Sequence, residues 1–374
     1  MEDYLGRNIP KLGFGMMRLP RIDKSIDIEQ VMQMVDLFLD RGFTYFDTAY
    51  MYQDSEDTIR QALAERYPRD SYQLASKLPA WKASSKKEAQ EMFWTSLKRC
   101  GVCYFDYYLL HNLGSSRSDI FDKYDLWQFI AKLKEEGLIR NIGFSIHDKA
   151  SHLDEILTRH PEVDFVQLQI NYLDWDSPIH ESQKCYETAR KHNKPIIVME
   201  PVKGGNLMIL PSAAVDAFAS VNPYASLASW AIRYAASLEG IITVLSGMST
   251  LAQVEDNTTF MADFKPLSQD EMTAINSARA AISQIPSVPC TYCGYCLPVC
   301  KQKVAIPGIF EALNLQLVFN NETESRWTYG WHTSGQNARL ASACIECGDC
   351  ELVCSQRLPI IKELKRARGL FESA

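Results

Sequence analysis

Two periodicities alternate along the first 265 residues. In "DIEQVMQMVDLFLDRG", Ile28, Val31, Met32, Val35 and Leu39 fall on one face of a helix, and Gly42 follows as its stop. The next run, "FTYFDTA", is rich in aromatics and Thr, which predicts a strand. "SEDTIRQALAERYP" is a short helical pattern closed by Pro68. "YQLASKL" is again strand-like. "SSKKEAQEMFWTSLKRCG" reads as a helix opened by a Ser85–Glu88 capping box and stopped by Gly101. The alternation continues with the strand "YFDYYLLH" and the helix "YDLWQFIAKLKEEG". The strands "IRNIGFS", "FVQLQIN", "PIIVMEP" and "IITVLSG" follow, each trailed by a helical stretch. With "LGFGM" near residue 12, the pattern predicts eight strands.

Strict alternation is what parallel strands joined by crossover helices produce. Eight such units in about 250 residues predict a closed (β/α)8 TIM barrel. An open doubly wound sheet would place a glycine-rich turn after its first strand. "GFGMMRLP" is not G-x-G-x-x-G and opens no helix. The barrel is assigned to residues 1–265. "LSQDEMTAINSARAAISQI", started by Ser268 and Glu271, reads as a connecting helix and "PSVP" as a turn, so 266–289 form the connection. Residues 290–374 make a small second domain, and its stretches "IPGIFEALNLQLVF" and "RLPIIKELKRARGLF" predict that it is mainly helical.

Composition narrows the setting. The 374 residues are 46% hydrophobic and 23% charged, an ordinary globular balance. The net charge is −7, and no Lys/Arg run rises above the acidic background, which argues against nucleic-acid and anionic-membrane partners. "MEDYLGRNIP" lacks a basic stretch followed by an apolar core. The most apolar stretch, near residues 224–245, is interrupted by Arg233 and Glu239. The expectation is a soluble cytoplasmic protein, in which 11 cysteines point to metal or redox use rather than to disulfides.

In a barrel of this kind chemistry gathers where strands end. Asp47 closes "FTYFD", Tyr52 lies five residues on, Lys77 ends "YQLASK" and His111 ends "YYLLH". Taken singly, Asp47 and Lys77 could be a supporting ion pair and His111 a core histidine. On three successive strands they form a set with a specific use. A tyrosine ionises near ~10. A nearby ammonium lowers that value by stabilising phenolate, and a carboxylate keeps the ammonium charged and in place. A neutral imidazole can hydrogen-bond a carbonyl oxygen. Together these groups suit protonation of an oxygen as a hydride reaches the adjoining carbon.

At these residues the chain resembles the aldo-keto reductase family. The matching stretches are "FDTAYMYQDSE", "SKLP", "SLKRCGVCYFDYYLLHN", "IGFS", "QLQINY" and "VEDN", in order across the first 265 residues. The resemblance implies that Tyr52 is the proton donor, Lys77 and Asp47 its tuning pair, and His111 the residue that orients the carbonyl. It implies a nicotinamide cofactor bound without a Rossmann fold, near Ser145, Gln167, Ser246, Gly247, Asp256 and Asn257. Ile146 stands where the family has asparagine. Gln253 stands where NADPH-preferring members have arginine, so NADP(H) and NAD(H) both stay open. A small aldehyde or ketone is the implied substrate.

The last part of the chain carries different chemistry. "CTYCGYCLPVC" (290–300) and "CIECGDCELVC" (344–354) are both C-x2-C-x2-C-x3-C, the spacing of [4Fe–4S] ferredoxins. In two-cluster ferredoxins the fourth cysteine of each run serves the other cluster. That assigns Cys290, Cys293, Cys296 and Cys354 to one [4Fe–4S] cluster, and Cys344, Cys347, Cys350 and Cys300 to a second. Structural zinc wants four ligands, and eight in this doubled order fit two cubanes better. The arrangement resembles the helical ferredoxin module of multi-subunit oxidoreductases. Cys100, Cys103 and Cys185 read as small buried residues.

Hydride transfer moves electrons in pairs and clusters move them singly. The clusters are then either a structural staple or a link to a one-electron carrier protein. The link would need a flavin, on this chain or a partner, to split the pair. A third reading makes the chain a non-catalytic electron-transfer subunit whose barrel docks a redox partner or flavin. The intact set Asp47, Tyr52, Lys77 and His111 favours a nicotinamide-dependent carbonyl reductase.

Overall fold

The computed structural model describes residues 5–115, 117–178, 180–335 and 338–372. The first four residues of the chain's start and the last two of the expected second domain lie outside them. The strands in chain order are β1 (Leu12–Gly15), β2 (Arg21–Ile22), β3 (Ser25–Ile26), β4 (Tyr45–Asp47), β5 (Gln73–Leu78), β6 (Phe105–Leu113), β7 (Ile139–Ile146), β8 (Phe165–Gln169), β9 (Ile196–Met199) and β10 (Ile241–Ser246). Eight of them close a parallel barrel in the order β1-β10-β9-β8-β7-β6-β5-β4, while β2 and β3 form a small hairpin. All eight barrel strands are those that the alternation predicts. The short hairpin was not legible, since two-residue strands carry no periodicity.

Strand parity decides which side chains face the barrel interior. Tyr45, Ala75, Tyr107, Leu109, Phe165, Ile197, Ile242 and Leu245 form one buried cluster, the plug of the barrel. Its aromatic members stack in series, with the Tyr45 and Tyr107 rings 5.2 Å apart and those of Tyr107 and Phe165 5.1 Å apart. Their sequence neighbours Phe46, Leu74, Tyr108, Leu110 and Val166 belong to the other layer, between strands and helices. Two residues on from Tyr45, Ala75, Leu109 and Phe165 come Asp47, Lys77, His111 and Gln167. A period of two therefore sets these four polar residues above the plug at the carboxyl ends of their strands.

The helices follow the pattern with local differences. In the helix Ile28–Asp40 the fully buried stripe is Val31, Met34, Val35 and Phe38, whereas Ile28, Met32 and Leu39 are only partly buried. The expected face was thus displaced toward Met34 and Phe38, because Phe38 fills an aromatic cluster with Phe14, Phe43 and Phe46. The helix Lys86–Cys100 is capped by Ser85, which accepts from the Glu88 N–H, and ends at Gly101 with φ 67°. The expected reciprocal bond is different: the Glu88 carboxylate accepts from the N–H of Ser84 at 2.7 Å, one residue earlier than a capping box requires. The stretch from Ser55 is helical to Ile59 and then widens into a π-turn over Arg60–Ala64.

By compactness the chain divides into two units. One comprises residues 1–202 and 226–268, the other 203–225 and 269–374. In the second unit the helix Ile306–Phe319 is central to a core of Ile309, Phe310, Leu313, Tyr329, Ile360 and Leu364. It coincides with the apolar stretch read from the sequence. Helix Ser212–Ala219 packs on helix Gln269–Ser283 in this unit. Its connecting segment is tied down by Asn321, whose side-chain amide donates to Asn206 Oδ1 at 2.9 Å. No helix among the described residues is long and apolar enough to cross a membrane.

Candidate functional site

Asp47 ends β4, and Lys77 is the fifth residue of the neighbouring β5. Both are fully buried, at 3% and 1% exposure. The Lys77 ammonium donates to Asp47 Oδ1, to the Thr48 carbonyl at 2.8 Å and to the Tyr52 hydroxyl at 3.4 Å. It also sits 4.8 Å from the centre of the Tyr52 ring. His111, near the end of β6, packs edge-on against Tyr52 with ring centres 5.9 Å apart. The four residues therefore converge as their strand positions predict. Oδ2 of Asp47 and Nδ1 of His111 are buried without a hydrogen-bond partner.

The loop that carries Tyr52 is fixed from behind. Ser55 and Thr48 share a hydrogen bond of 2.7 Å, and the Tyr52 N–H donates to the Ala49 carbonyl. Glu56, itself buried, accepts from Ser76 at 2.8 Å and pairs with Arg99. Ser76 has the opposite parity to Lys77, so one strand holds the loop on its outer face and the ammonium on its inner face.

Electrostatics assign protonation states. Burial pushes the Lys77 pKa down, but Asp47 and then Tyr52 more than offset it, so the pKa is raised and the lysine is charged. Burial raises the Asp47 carboxyl while Lys77 pulls it down, with a net rise. Burial, followed by the charges of Lys77, His147 and Arg117, drives His111 well below its usual value, so its ring is neutral. Tyr52 corrects the expectation. The Lys77 charge does lower its pKa, but burial outweighs the ammonium and the net shift is upward from 10.0. The phenol is thus a protonated donor rather than an unusually acidic one.

The expected nicotinamide contacts occupy the same end of the barrel. Ser145 on β7 is buried, and its hydroxyl accepts from the Asn112 N–H at 2.8 Å. Gln167 on β8 is buried with Oε1 unpartnered, and the Asn112 side-chain oxygen is likewise buried and unpartnered. Two orphaned acceptors beside neutral donors are what a bound carboxamide would satisfy, so these residues fit such a group. Asn112 was not anticipated; its signal is a φ of 52° in a non-glycine residue at a strand end. Ser246 ends β10 and accepts from the Asn257 amide at 2.7 Å. A side chain at Gly247 would meet open space. Asp256 accepts from Ser226, the cap of helix Leu227–Ala236, at 2.7 Å, and so ties two helices together.

A profile of the aldo/keto reductase family matches residues 11–280. The chain belongs to the aldo/keto reductase family. An aldo-keto reductase of Mycolicibacterium vanbaalenii is 27% identical over 269 residues, 72% of this chain and 88% of that protein. The 9,11-endoperoxide prostaglandin H2 reductase of Trypanosoma cruzi is 26% identical, again over 72% of this chain and 87% of its own length. Among solved structures, the holo form of a Bacillus halodurans aldo-keto reductase superposes with a TM-score of 0.60 at 25% identity, covering 74% of this chain and 95% of that one. An aldo-keto reductase of Klebsiella pneumoniae in complex with NADPH gives 0.58 at 22% identity, over 72% and 90%. Within the family the present chain is extended, because a 4Fe-4S dicluster domain profile matches residues 289–358.

In that extension the cysteine runs adopt one backbone twice. Tyr292 and Glu346, at equivalent places before the second cysteine, have φ of 57° and 58°. Gly294 and Gly348 follow with 75° and 81°, and Lys303 and Arg357, three residues past the fourth cysteine, with 56° and 51°. The Val304 N–H donates to Cys300 Sγ at 3.3 Å, and the Leu358 N–H to Cys354 Sγ at 3.5 Å. The sequence shows the repeated spacing but not this repeated chirality, which four of the six positions achieve without glycine.

Two cavities result. One is lined by Cys290, Cys293, Cys296 and Cys354. The other is lined by Cys300, Cys344, Cys347 and Cys350. Each wall thus combines three cysteines of one run with the fourth of the other. Among the described residues no three His, Cys, Asp or Glu side chains converge on one metal-ion position. Thiols spread around an open space fit a multi-atom cluster. Cys100 and Cys185 are buried as expected, but Cys103 is exposed, because it sits on the turn before β6 rather than in it.

Proposed function

We propose that the chain reduces a small aldehyde or ketone to an alcohol with a nicotinamide cofactor, and that its C-terminal unit holds two [4Fe–4S] clusters. The observation that carries the reductase reading is the convergence of Lys77, Asp47, Tyr52 and His111 at the carboxyl ends of adjacent strands. A nicotinamide bound near Ser145, Gln167, Ser246, Gly247, Asp256 and Asn257 would supply the hydride to the carbonyl carbon. Neutral His111 hydrogen-bonds the carbonyl oxygen and fixes its position. Tyr52 delivers its hydroxyl proton to that oxygen as the C–O double bond becomes single, so the product is the alcohol. Lys77, held charged by Asp47, steadies the phenolate until solvent returns a proton. Such general-acid help is worth ~10²–10⁴-fold.

The cysteine sets of the two cavities would ligate the clusters, which supply one-electron capacity when present. Cys293 and Cys347, one in each set, are exposed. A cluster held there would lie close to the surface, within reach of an outside one-electron carrier. The test is anaerobic purification with iron, sulfide and flavin analysis, then nicotinamide oxidation over a panel of small carbonyls with NADH and NADPH in parallel. Turnover with either cofactor supports the reductase reading, and its absence across the panel refutes it. Dithionite-reduced clusters that reoxidise on addition of oxidised nicotinamide, followed by electron paramagnetic resonance, support electron exchange; an unchanged signal leaves the clusters structural.

A further inference from the structure

The loop after β6 carries Arg117 to the rim of the barrel mouth. Its guanidinium carbon lies 5.6 Å from the centre of the Trp81 ring, and that ring lies 5.5 Å from the ring of His111. Trp81 belongs to the turn Ala80–Lys82 that follows β5. A single indole therefore separates the guanidinium from the proposed carbonyl site. Arg117 is only partly exposed, and its Nε is buried with no partner. Among the described residues no carboxylate lies within ion-pair distance of it. Asp148 acts on Arg117 through space without forming an ion pair with it, and its carboxylate accepts from the Ser115 N–H at 2.6 Å and the Lys149 N–H at 2.7 Å. Most half-buried cations in proteins are paired, because desolvating a charge is costly. Arg117 is an exception at the edge of an active site, and its fork of donors matches a carboxylate or a phosphate.

Barrel order shows whose anion it is. Around the ring β6 stands four strands from β10 in either direction. The proposed nucleotide contacts Ser246, Gly247 and Asn257 lie at and beyond β10, so Arg117 belongs to the opposite rim. Glu200, exposed just past β9, acts on Tyr52 from its side, and β9 is diametrically opposite β5 and Trp81. His147, past the end of β7, adds an ionisable nitrogen base near His111.

Building on the carbonyl-reductase reading, we propose that the substrate bears a carboxylate or phosphate several bonds from its carbonyl, bound by Arg117 over the face of Trp81. The experiment compares matched pairs on the whole protein: 4-formylbenzoate against its methyl ester, and glyceraldehyde 3-phosphate against glyceraldehyde. The wild-type chain should prefer the anionic member through a lower KM, and the pair with the larger preference identifies the anion. In Arg117→Gln that preference in kcat/KM should fall roughly 10–100-fold, the worth of a charge-assisted hydrogen-bonded pair. Arg117→Lys should retain part of it, since the charge stays and the fork is lost. Reduction of neutral and anionic members alike by the wild type overturns the inference and leaves the reductase reading standing. That comparison needs no variant to fold. If all four compounds are inert, the reductase reading fails and takes the inference with it.

Discussion

The barrel mouth and the cysteine unit gather their reactive groups by opposite means. Asp47, Tyr52, Lys77 and His111 are spread over 65 residues of sequence, with only Asp47 and Tyr52 in one stretch, and the parallel strand order brings them together. The eight cysteines are already close in sequence within each run, and folding separates them by sending the fourth of each run to the other cavity. In the barrel, spacing along the chain says little and strand parity says nearly everything. In the cysteine unit, the doubled spacing announces both the chemistry and the exchange of the fourth cysteines, and the fold lines each cavity accordingly.

The strongest test of this contrast changes one site and reads both. Tyr52→Phe should lower kcat for carbonyl reduction by ~10²–10⁴-fold while iron and sulfide content stay at wild-type levels; unchanged turnover would remove Tyr52 from the proton path. Conversely, Cys354→Ser should remove about four irons, and those of the cavity lined by Cys290, Cys293 and Cys296 rather than the one beside Cys350. Mössbauer or paramagnetic resonance signatures that match those of Cys293→Ser, and differ from those of Cys347→Ser, would establish the exchange; a match to Cys347→Ser would reverse it. Asp47→Asn should cost about 3–5 kcal/mol in chemical denaturation, since it leaves the buried Lys77 ammonium without its counter-charge.

Smaller effects sharpen the electrostatic picture. The raised pKa of Tyr52 implies that the kcat/KM profile shows no loss from phenol ionisation below pH 10, and a basic limb well under that value would contradict the dominance of burial. His111 has a folded-state pKa depressed below about 6.5, its unfolded value. Below that pH the unfolded chain takes up a proton that the native ring refuses. Stability should therefore decline from about pH 6.5 down toward the lowered native value, and His111→Asn should flatten that decline in urea melts. Least of all, Ser85→Ala should cost about 1 kcal/mol by uncapping helix Lys86–Cys100.

What could be read before folding follows from the range of each interaction. Eight strands were legible because parallel barrel strands are buried on both faces and stand out as apolar or aromatic runs. The four polar residues at their ends were legible because each interrupts such a run. The direction of the Tyr52 shift was not, since it depends on how completely the surrounding side chains exclude water. Arg117 was missed for a related reason: an arginine in a serine-rich loop stands out only once folding leaves it without an ion pair. The displaced bond of Glu88, which reaches Ser84 instead of Ser85, is a matter of local backbone geometry that the pattern of residue types does not encode.

Residues 203–225, which intervene between β9 and β10, belong to the cysteine unit rather than the barrel. A protein engineer who severs the chain at 268 to obtain a bare barrel would leave that insert stranded, with Ala214 and Phe218 stripped of their cover and Asn206 of its clasp. Transplanting the cysteine unit onto another scaffold would require two grafts, one of them in the middle of the host.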